Sequence, residues 1–217
     1  MPSSRTSSAP QGPAVAGLLL AAGGGRRLGG RPKALLEHHG RPLVEYAVRM
    51  LREGGCTPVH VVLGAAAGRV RREADLSGCV VSDNPGWEEG MGSSLRVGLS
   101  SLTQSGLLEG AGTPPNPVDA ALVLLVDQPG IGAEAVARVR AAYRSRASLV
   151  AAAYGGRRGH PVLFGADRWA GITESAVGDR GARAYLAAHA DAVTLVECGD
   201  VAEAYDIDTP EDLRHLR

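Results

Sequence analysis

Residues 20–33 read LAAGGGRRLGGRPK, from Leu20 to Lys33, and the reading of this stretch decides the fold. It begins inside an apolar run, Val15–Ala22, that lacks polar alternation, as expected of a strand covered on both faces. A chain leaving a strand through consecutive glycines can bend its peptide N–H groups into an anion-binding concavity. Arg27 and Lys33 add side-chain charge, the guanidinium by bidentate contact and the ammonium as a compact point charge. A di- or triphosphate suits such a turn. The plainer reading is a flexible turn whose arginines are merely solvated.

Downstream, the same pattern recurs. Val59–Leu63, Cys79–Ser82, Ala120–Val126, Leu149–Ala153 and Val193–Cys198 are further strand candidates. Leu43–Glu53, Ser93–Leu102, Ala133–Tyr143 and Arg180–His189 have the character of helices, with Leu43, Ala47, Met50 and Leu51 spaced to cover a sheet. Strand–helix–strand alternation predicts one α/β domain, Rossmann-like and three-layered, with a mostly parallel sheet. Residues 1–13 are Ser/Pro-rich and predict a disordered tail ahead of a domain over 14–217. Thr103–Val118 predicts a Gly/Pro-rich surface insertion.

Three phosphate-binding patterns can be laid on the glycine stretch. The P-loop fails because Lys33 follows Pro32 and precedes Ala34. The Rossmann GxGxxG fails because Leu28 stands where glycine is required and Gly29 comes one place late. The third, LAAGxGxRxG followed shortly by Lys, fits at every fixed position. On it the chain resembles the MobA-like nucleotidyltransferase family, whose members include the molybdenum-cofactor guanylyl- and cytidylyltransferases. The resemblance implies the nucleotide-diphospho-sugar transferase type of fold. It makes Leu20, Ala21, Ala22, Gly23, Gly25, Arg27 and Lys33 nucleotide-binding residues, with Arg27 and Lys33 also catalytic.

Later segments extend the resemblance over residues 15–213. Asp83–Leu99 (DNPGWEEGMGSSLRVGL) places Gly92, Ser93 and Ser94 at a helix start, where the family holds the nucleoside. Gly92 and Ser94 are the implied contacts, although Ser93 is also a good helix cap. Asp127 closes the run Ala120–Val126, at the strand end where open α/β sheets bind ligands. The resemblance makes it a Mg²⁺ ligand and catalytic; a turn-capping Asp is the alternative. Thr209-Pro210-Glu211-Asp212 forms a sound helix start, which leaves Asp206 and Asp208 unexplained. Asp208 aligns with the family's second metal contact. The segments GHPVLF and GDRGAR (159–164 and 178–183) resemble acceptor-side loops of the cytidylyltransferase branch, so that His160, Asp179 and Arg180 become acceptor-binding residues.

The resemblance therefore implies transfer of CMP from CTP to molybdopterin with Mg²⁺ as cofactor, in the service of a molybdenum enzyme. The rivals are transfer to another phosphorylated acceptor, an NAD(P)H-dependent oxidoreductase on the same scaffold, and a nucleotide-binding chaperone that delivers the cofactor. Composition narrows the field. Among 217 residues, 23 Lys+Arg balance 23 Asp+Glu and only 4% are aromatic, which argues against nucleic acid and anionic membrane surfaces. Cys56, Cys79 and Cys198 form no CxxC pair and suit a reduced, cytoplasmic setting. Arg5 ahead of Ala14–Ala22 faintly resembles a secretory signal, but nine apolar residues entered through Pro13 and ending in GGGRR make a poor one. No run approaches the ~20 apolar residues of a membrane helix.

Overall fold

The structure is a computed structural model that describes residues 12–105 and 118–216. Most of the expected tail and most of the expected insertion therefore lie outside the described residues. The strands are β1 (Val15–Ala21), β2 (Glu37–His38), β3 (Arg41–Pro42), β4 (Val59–Leu63), β5 (Cys79–Asp83), β6 (Ala120–Leu125), β7 (Leu149–Tyr154), β8 (Arg157–Gly165) and β9 (Val193–Glu197). The helices are α1 (Leu43–Glu53), α2 (Ala67–Glu73), α3 (Met91–Ser105), α4 (Ala133–Ala141), α5 (Trp169–Ser175) and α6 (Arg183–Ala188).

Seven strands form one sheet in the order β5-β4-β1-β6-β8-β7-β9, while β2 and β3 pair separately. β1 lies parallel to β4 on one side and to β6 on the other, with Leu20 opposite both Val62 and Leu125. Within the seven-stranded sheet only β8 runs against its neighbours, antiparallel to β6 and to β7. The expected α/β architecture with a mostly parallel sheet is what the chain adopts.

Every residue of β1 is buried, because its side chains feed two cores. Val15, Leu19 and Ala21 join Leu43, Ala47, Leu51, Val70, Val136 and Val139, beneath α1, α2 and α4. Ala16, Leu18 and Leu20 join Leu95, Leu99, Ile172 and Leu186, beneath α3, α5 and α6. The two-residue period of the strand thus apportions one apolar run between two helical layers. The three cysteines are free. Among the described residues no helix is long and apolar enough to cross a membrane.

From β1 the chain moves outward through α1 to β4 and through α2 to β5. It then returns over the other face, through α3, to β6 on the far side of β1. That reversal opens a crevice at the carboxyl ends of β1 and β6, the place where doubly wound sheets take ligands.

The structure corrects several boundaries. α3 begins at Met91 and runs to Ser105, so the first three residues of the expected insertion are helical. The expected helix Arg180–His189 is a 3-10 turn over Gly178–Arg180 followed by α6 from Arg183. β8 was not expected as a strand. Its first half, Arg157 to His160, is polar, and the apolar signal begins only at Pro161. The turn before it, Gly155-Gly156, has φ of 58° and 77°, the left-handed pair that a two-residue hairpin requires. α2 also escaped notice, since Val70 is its only buried residue.

Candidate functional site

After Ala21 the chain leaves the sheet and Ala22 O accepts a hydrogen bond from Ala65 N at 3.0 Å, which ties the loop to the end of β4. Gly25 adopts φ 59° and its carbonyl accepts from Leu28 N at 2.8 Å and Gly30 N at 3.0 Å. A side chain at Gly25 would collide with the Arg31 carbonyl, so only glycine closes this turn. Among the described residues, the N–H groups of Gly23, Gly24 and Gly25 have no backbone carbonyl partner. Gly23 and Gly24 line a cleft of about 280 Å³ together with Leu20, Lys33, Ser94, Asp127 and Asp179, among others.

Opposite the loop, β6 delivers Asp127 two residues beyond its end. Ile207 N donates to Asp127 O at 2.9 Å, and Gln128 Nε2 donates to Asp206 Oδ1 at 2.7 Å. These two bonds dock the C-terminal segment beside β6 and bring Asp208 to the cleft. Behind Asp208, Asp212 Oδ2 accepts from the backbone N–H groups of Asp208 at 3.0 Å and Thr209 at 2.8 Å. That capping box starts the 3-10 turn Pro210–His215 and fixes where Asp208 points.

Lys33 joins the two carboxylates. Its Nζ donates to Asp127 Oδ2 at 2.7 Å and also to Asp208 Oδ1. Burial alone would lower the lysine pKa, but Asp127 and Asp208 together hold it above the ordinary value, so the ammonium stays charged. Burial pushes the Asp127 carboxyl upward, and Lys33 opposes that push. Arg27, mostly exposed, holds Nη1 3.8 Å from Asp208 Oδ2 and is free to turn toward a ligand.

The expected residues divide accordingly. Leu20, Ala22, Gly23, Lys33, Ser94, Asp127 and Asp179 line the cleft; Gly25, Arg27 and Asp208 shape or flank it. Ala21 and Gly92 are not among the lining residues. The Ala21 side chain packs into the α1 core, on the opposite face of the sheet from Leu20. The Gly92 Cα faces Ala176 and Val177, where its bareness lets α3 approach that loop. Ser94 Oγ lies in the cleft wall and accepts from Asn84 Nδ2 at 3.0 Å, while Ser93 Oγ accepts from the same nitrogen at 2.8 Å. Arg180 is exposed at the end of its 3-10 turn.

His160 lies on β8, two residues beyond Val162, which pairs with Val123, and so stands at the same edge of the sheet. Burial, then Arg183 and Arg158, lower its pKa to about 4, so the ring is neutral and suited to hydrogen bonding rather than charge. Sequence reasoning missed Asn84, Trp87 and Met91. Trp87 lies in the cleft wall against Gly24, with the Arg26 guanidinium 5.8 Å from its ring centre. All three lie in the segment NPGWEEGM, but Trp87 meets Gly24 and Met91 meets Gly181, both distant in sequence, and Asn84 reaches Ser93 and Ser94 only because the chain folds back into α3.

Comparison with known proteins agrees with this geometry. The MobA-like NTP transferase domain family matches residues 17–193. The chain is 38% identical over 211 residues to a protein named nicotine blue oxidoreductase from Paenarthrobacter nicotinovorans, covering 94% of this chain and 97% of that one. Among solved structures it resembles the Mycobacterium sp. strain JC1 homolog of Mycobacterium tuberculosis rv0371c. There the TM-score is 0.75 and the identity 29%, over 93% of this chain and 94% of the other. A nucleotidyl transferase from Methanothermobacter thermautotroptrophicus shares the fold at TM-score 0.73 and 21% identity, over 94% and 96%. A glycine loop with Arg27 and Lys33, facing Asp127 and Asp208 across the switch point of the sheet, thus accompanies a match over most of the length: the chain belongs to the MobA-like NTP transferase family.

Proposed function

We propose that this protein is a nucleotidyltransferase that moves CMP from CTP onto molybdopterin and releases pyrophosphate. The observation that carries the reading is the convergence of Lys33 on both Asp127 and Asp208 at the mouth of the glycine loop. Free peptide N–H groups and two cations suit a triphosphate, and the paired carboxylates suit a divalent cation. The fit to Mg²⁺ rests on that donor set: two carboxylates already share one positive charge, and Mg²⁺ commonly takes one or two carboxylates with phosphate oxygens and water. Asp127 and Asp208 would hold the ion, which when bound supplies charge neutralisation at the phosphates.

The chain's own residues do the rest. The loop N–H groups, Arg27 and Lys33 grip the phosphates and stabilise the charge that gathers on the departing pyrophosphate. A phosphate oxygen of the acceptor attacks the α-phosphorus in line. The new phosphorus–oxygen bond forms as the bond to the β-phosphate oxygen breaks, and its electron pair leaves with pyrophosphate. No covalent enzyme intermediate is needed, so positioning and electrostatics suffice. Ser94 and Asn84 lie on the nucleoside side. We assign His160, Asp179 and Arg180 to the binding of an anionic acceptor. CTP and molybdopterin are favoured by the GMGSSLR, GHPVLF and GDRGAR segments of the cytidylyltransferase branch.

A second reading, an NAD(P)H-dependent oxidoreductase, is favoured by the name of the 38%-identical relative. Against it, Leu28 breaks the dinucleotide-binding spacing, and a Lys–Asp–Asp cluster has no role in hydride transfer. Incubation with Mg²⁺, molybdopterin and CTP, GTP or ATP decides between them. Pyrophosphate and a dinucleotide product are expected with CTP. NADPH oxidation without pyrophosphate from any nucleotide overturns the proposal in favour of the oxidoreductase.

A further inference from the structure

The floor of the cleft gives Lys33 a second task. Its Nζ bridges Asp127 Oδ2 and Asp208 Oδ1, two of the oxygens a divalent cation would use. The backbone that carries the two carboxylates does not depend on the ammonium for its placement. Ile207 N to Asp127 O at 2.9 Å and Gln128 Nε2 to Asp206 Oδ1 at 2.7 Å hold the two segments together from behind. Asp212 fixes Asp208 from its own side, through the backbone. A doubly charged ion approaching those oxygens therefore meets a like charge already seated there, in a place poorly screened by water. Lys33 opens the 3-10 turn Lys33–Leu35 directly after the phosphate loop. Its flexible four-carbon stem can carry the ammonium toward a phosphate without moving the backbone.

We propose that Lys33 is an internal counter-ion that keeps divalent cations off Asp127 and Asp208 until a triphosphate draws the ammonium away. Metal and nucleotide then load as one event. The nucleotide half rests on the transferase reading; the competition between Lys33 and the cation stands on the carboxylates alone.

The test is a Mn²⁺ titration of the full chain without nucleotide, read by the electron paramagnetic resonance of the free ion. Lys33→Met is expected to bind Mn²⁺ about tenfold more tightly than the unaltered protein. The double variant Lys33→Met with Asp127→Asn is expected to lose that gain. Arg27→Met removes a like charge 3.8 Å from Asp208 that bridges nothing, and is expected to change affinity less than about threefold. A Lys33→Met gain no greater than that of Arg27→Met overturns the proposal. Lys33→Gln, checked by circular dichroism alongside, is the second variant if Lys33→Met does not fold, and the same ranking is expected. A CTP analogue with a non-cleavable α,β bridge is expected to raise Mn²⁺ affinity by a larger factor in the unaltered protein than in Lys33→Met. Equal factors overturn the coupling. Neither titration needs turnover, so a protein that shows the Lys33→Met gain yet releases no pyrophosphate breaks the transferase reading and leaves the counter-ion standing.

Discussion

Among the described residues, one cation holds two carboxylates from separate segments at Arg138, at Arg146 and at Lys33, and the first and last of these make the sharpest pair. On the surface, Arg138 on α4 reaches Asp200 at 2.6 and 2.8 Å and Glu134 at 2.8 Å. In the cleft, Lys33 reaches Asp127 and Asp208. As hydrogen-bonded geometry the Arg138 cluster is the better of the two, being bidentate to Asp200. Enclosure separates them. The Lys33 side chain is 13% exposed and its carboxylates 20% and 43%, whereas Arg138 is 33% exposed and its partners 62% and 64%. Water screens the surface cluster and can replace each of its bonds. The enclosed cluster cannot be broken so cheaply, because Asp127 left there without a cation is poorly solvated. Ion-pair quality therefore says little about function, and location at the switch point of the sheet says much.

The strongest break in that comparison is Asp127→Ala. It is expected to lower pyrophosphate release by about 10³-fold or more while the circular dichroism spectrum is retained. Unchanged turnover would make Asp127 a turn residue, no different in kind from Glu134. Gly25→Val comes next. It forces a β-branched side chain into a left-handed turn and against the Arg31 carbonyl, which displaces the N–H groups on the cleft side. A loss of about 10²-fold in kcat/KM is expected from misplacing the loop. A variant with normal kinetics would show that the phosphates are held elsewhere.

His60 sharpens the contrast by supplying a third case, a buried titratable group with no counter-ion. It is 1% exposed on β4, its Nδ1 lies 2.6 Å from Ser101 Oγ, and its buried Nε2 has no partner among the described residues. Burial lowers its pKa to about 4 from 6.5, so the ring stays neutral in the folded chain. Below pH 6.5 the unfolded chain takes up a proton that the folded chain refuses, so stability falls as pH drops from 6.5 toward 4. The loss amounts to about 3 kcal/mol across that window. Chemical denaturation at pH 7 and pH 4.5 measures it. His160 titrates in the same range, so His60→Leu is expected to flatten the profile only in part. A profile with the same slope after that substitution would assign the whole effect to other groups. The smallest effect is expected of Arg138→Ala, with turnover unchanged and melting lowered by a few degrees at most. A larger fall would mean that the surface cluster holds α4 to the segment after β9 more firmly than its exposure implies.

Much of this was legible in the sequence. α1 occupies Leu43–Glu53 as the periodicity requires, and all six apolar runs became strands to within a residue at their ends. Elements were missed where apolar character and secondary structure part company. The first half of β8 is polar and exposed or half-buried, and α2 buries one residue. In the site, Asp127 and Asp208 were legible as a pair through their family resemblance, and Lys33 as a cation facing phosphate. That Lys33 bridges both carboxylates was not, since no local pattern brings residues 33, 127 and 208 together. Trp87 against Gly24 and Asn84 beneath two serines are likewise products of docking β5 and α3 beside the glycine loop.

The antiparallel strand of the seven-stranded sheet, β8, has one further consequence. In a parallel sheet each strand offers its end to the ligand edge and must then travel the length of a helix before the next can do so. β8 offers its beginning instead, reached from β7 through Gly155 and Gly156 alone. The tip of that hairpin is thus an interchangeable cassette. It can gain, lose or exchange residues such as Arg157 and Arg158 while the glycine loop and Asp127, anchored on other strands, keep their places. Diversification of one side of the reaction need not disturb the other.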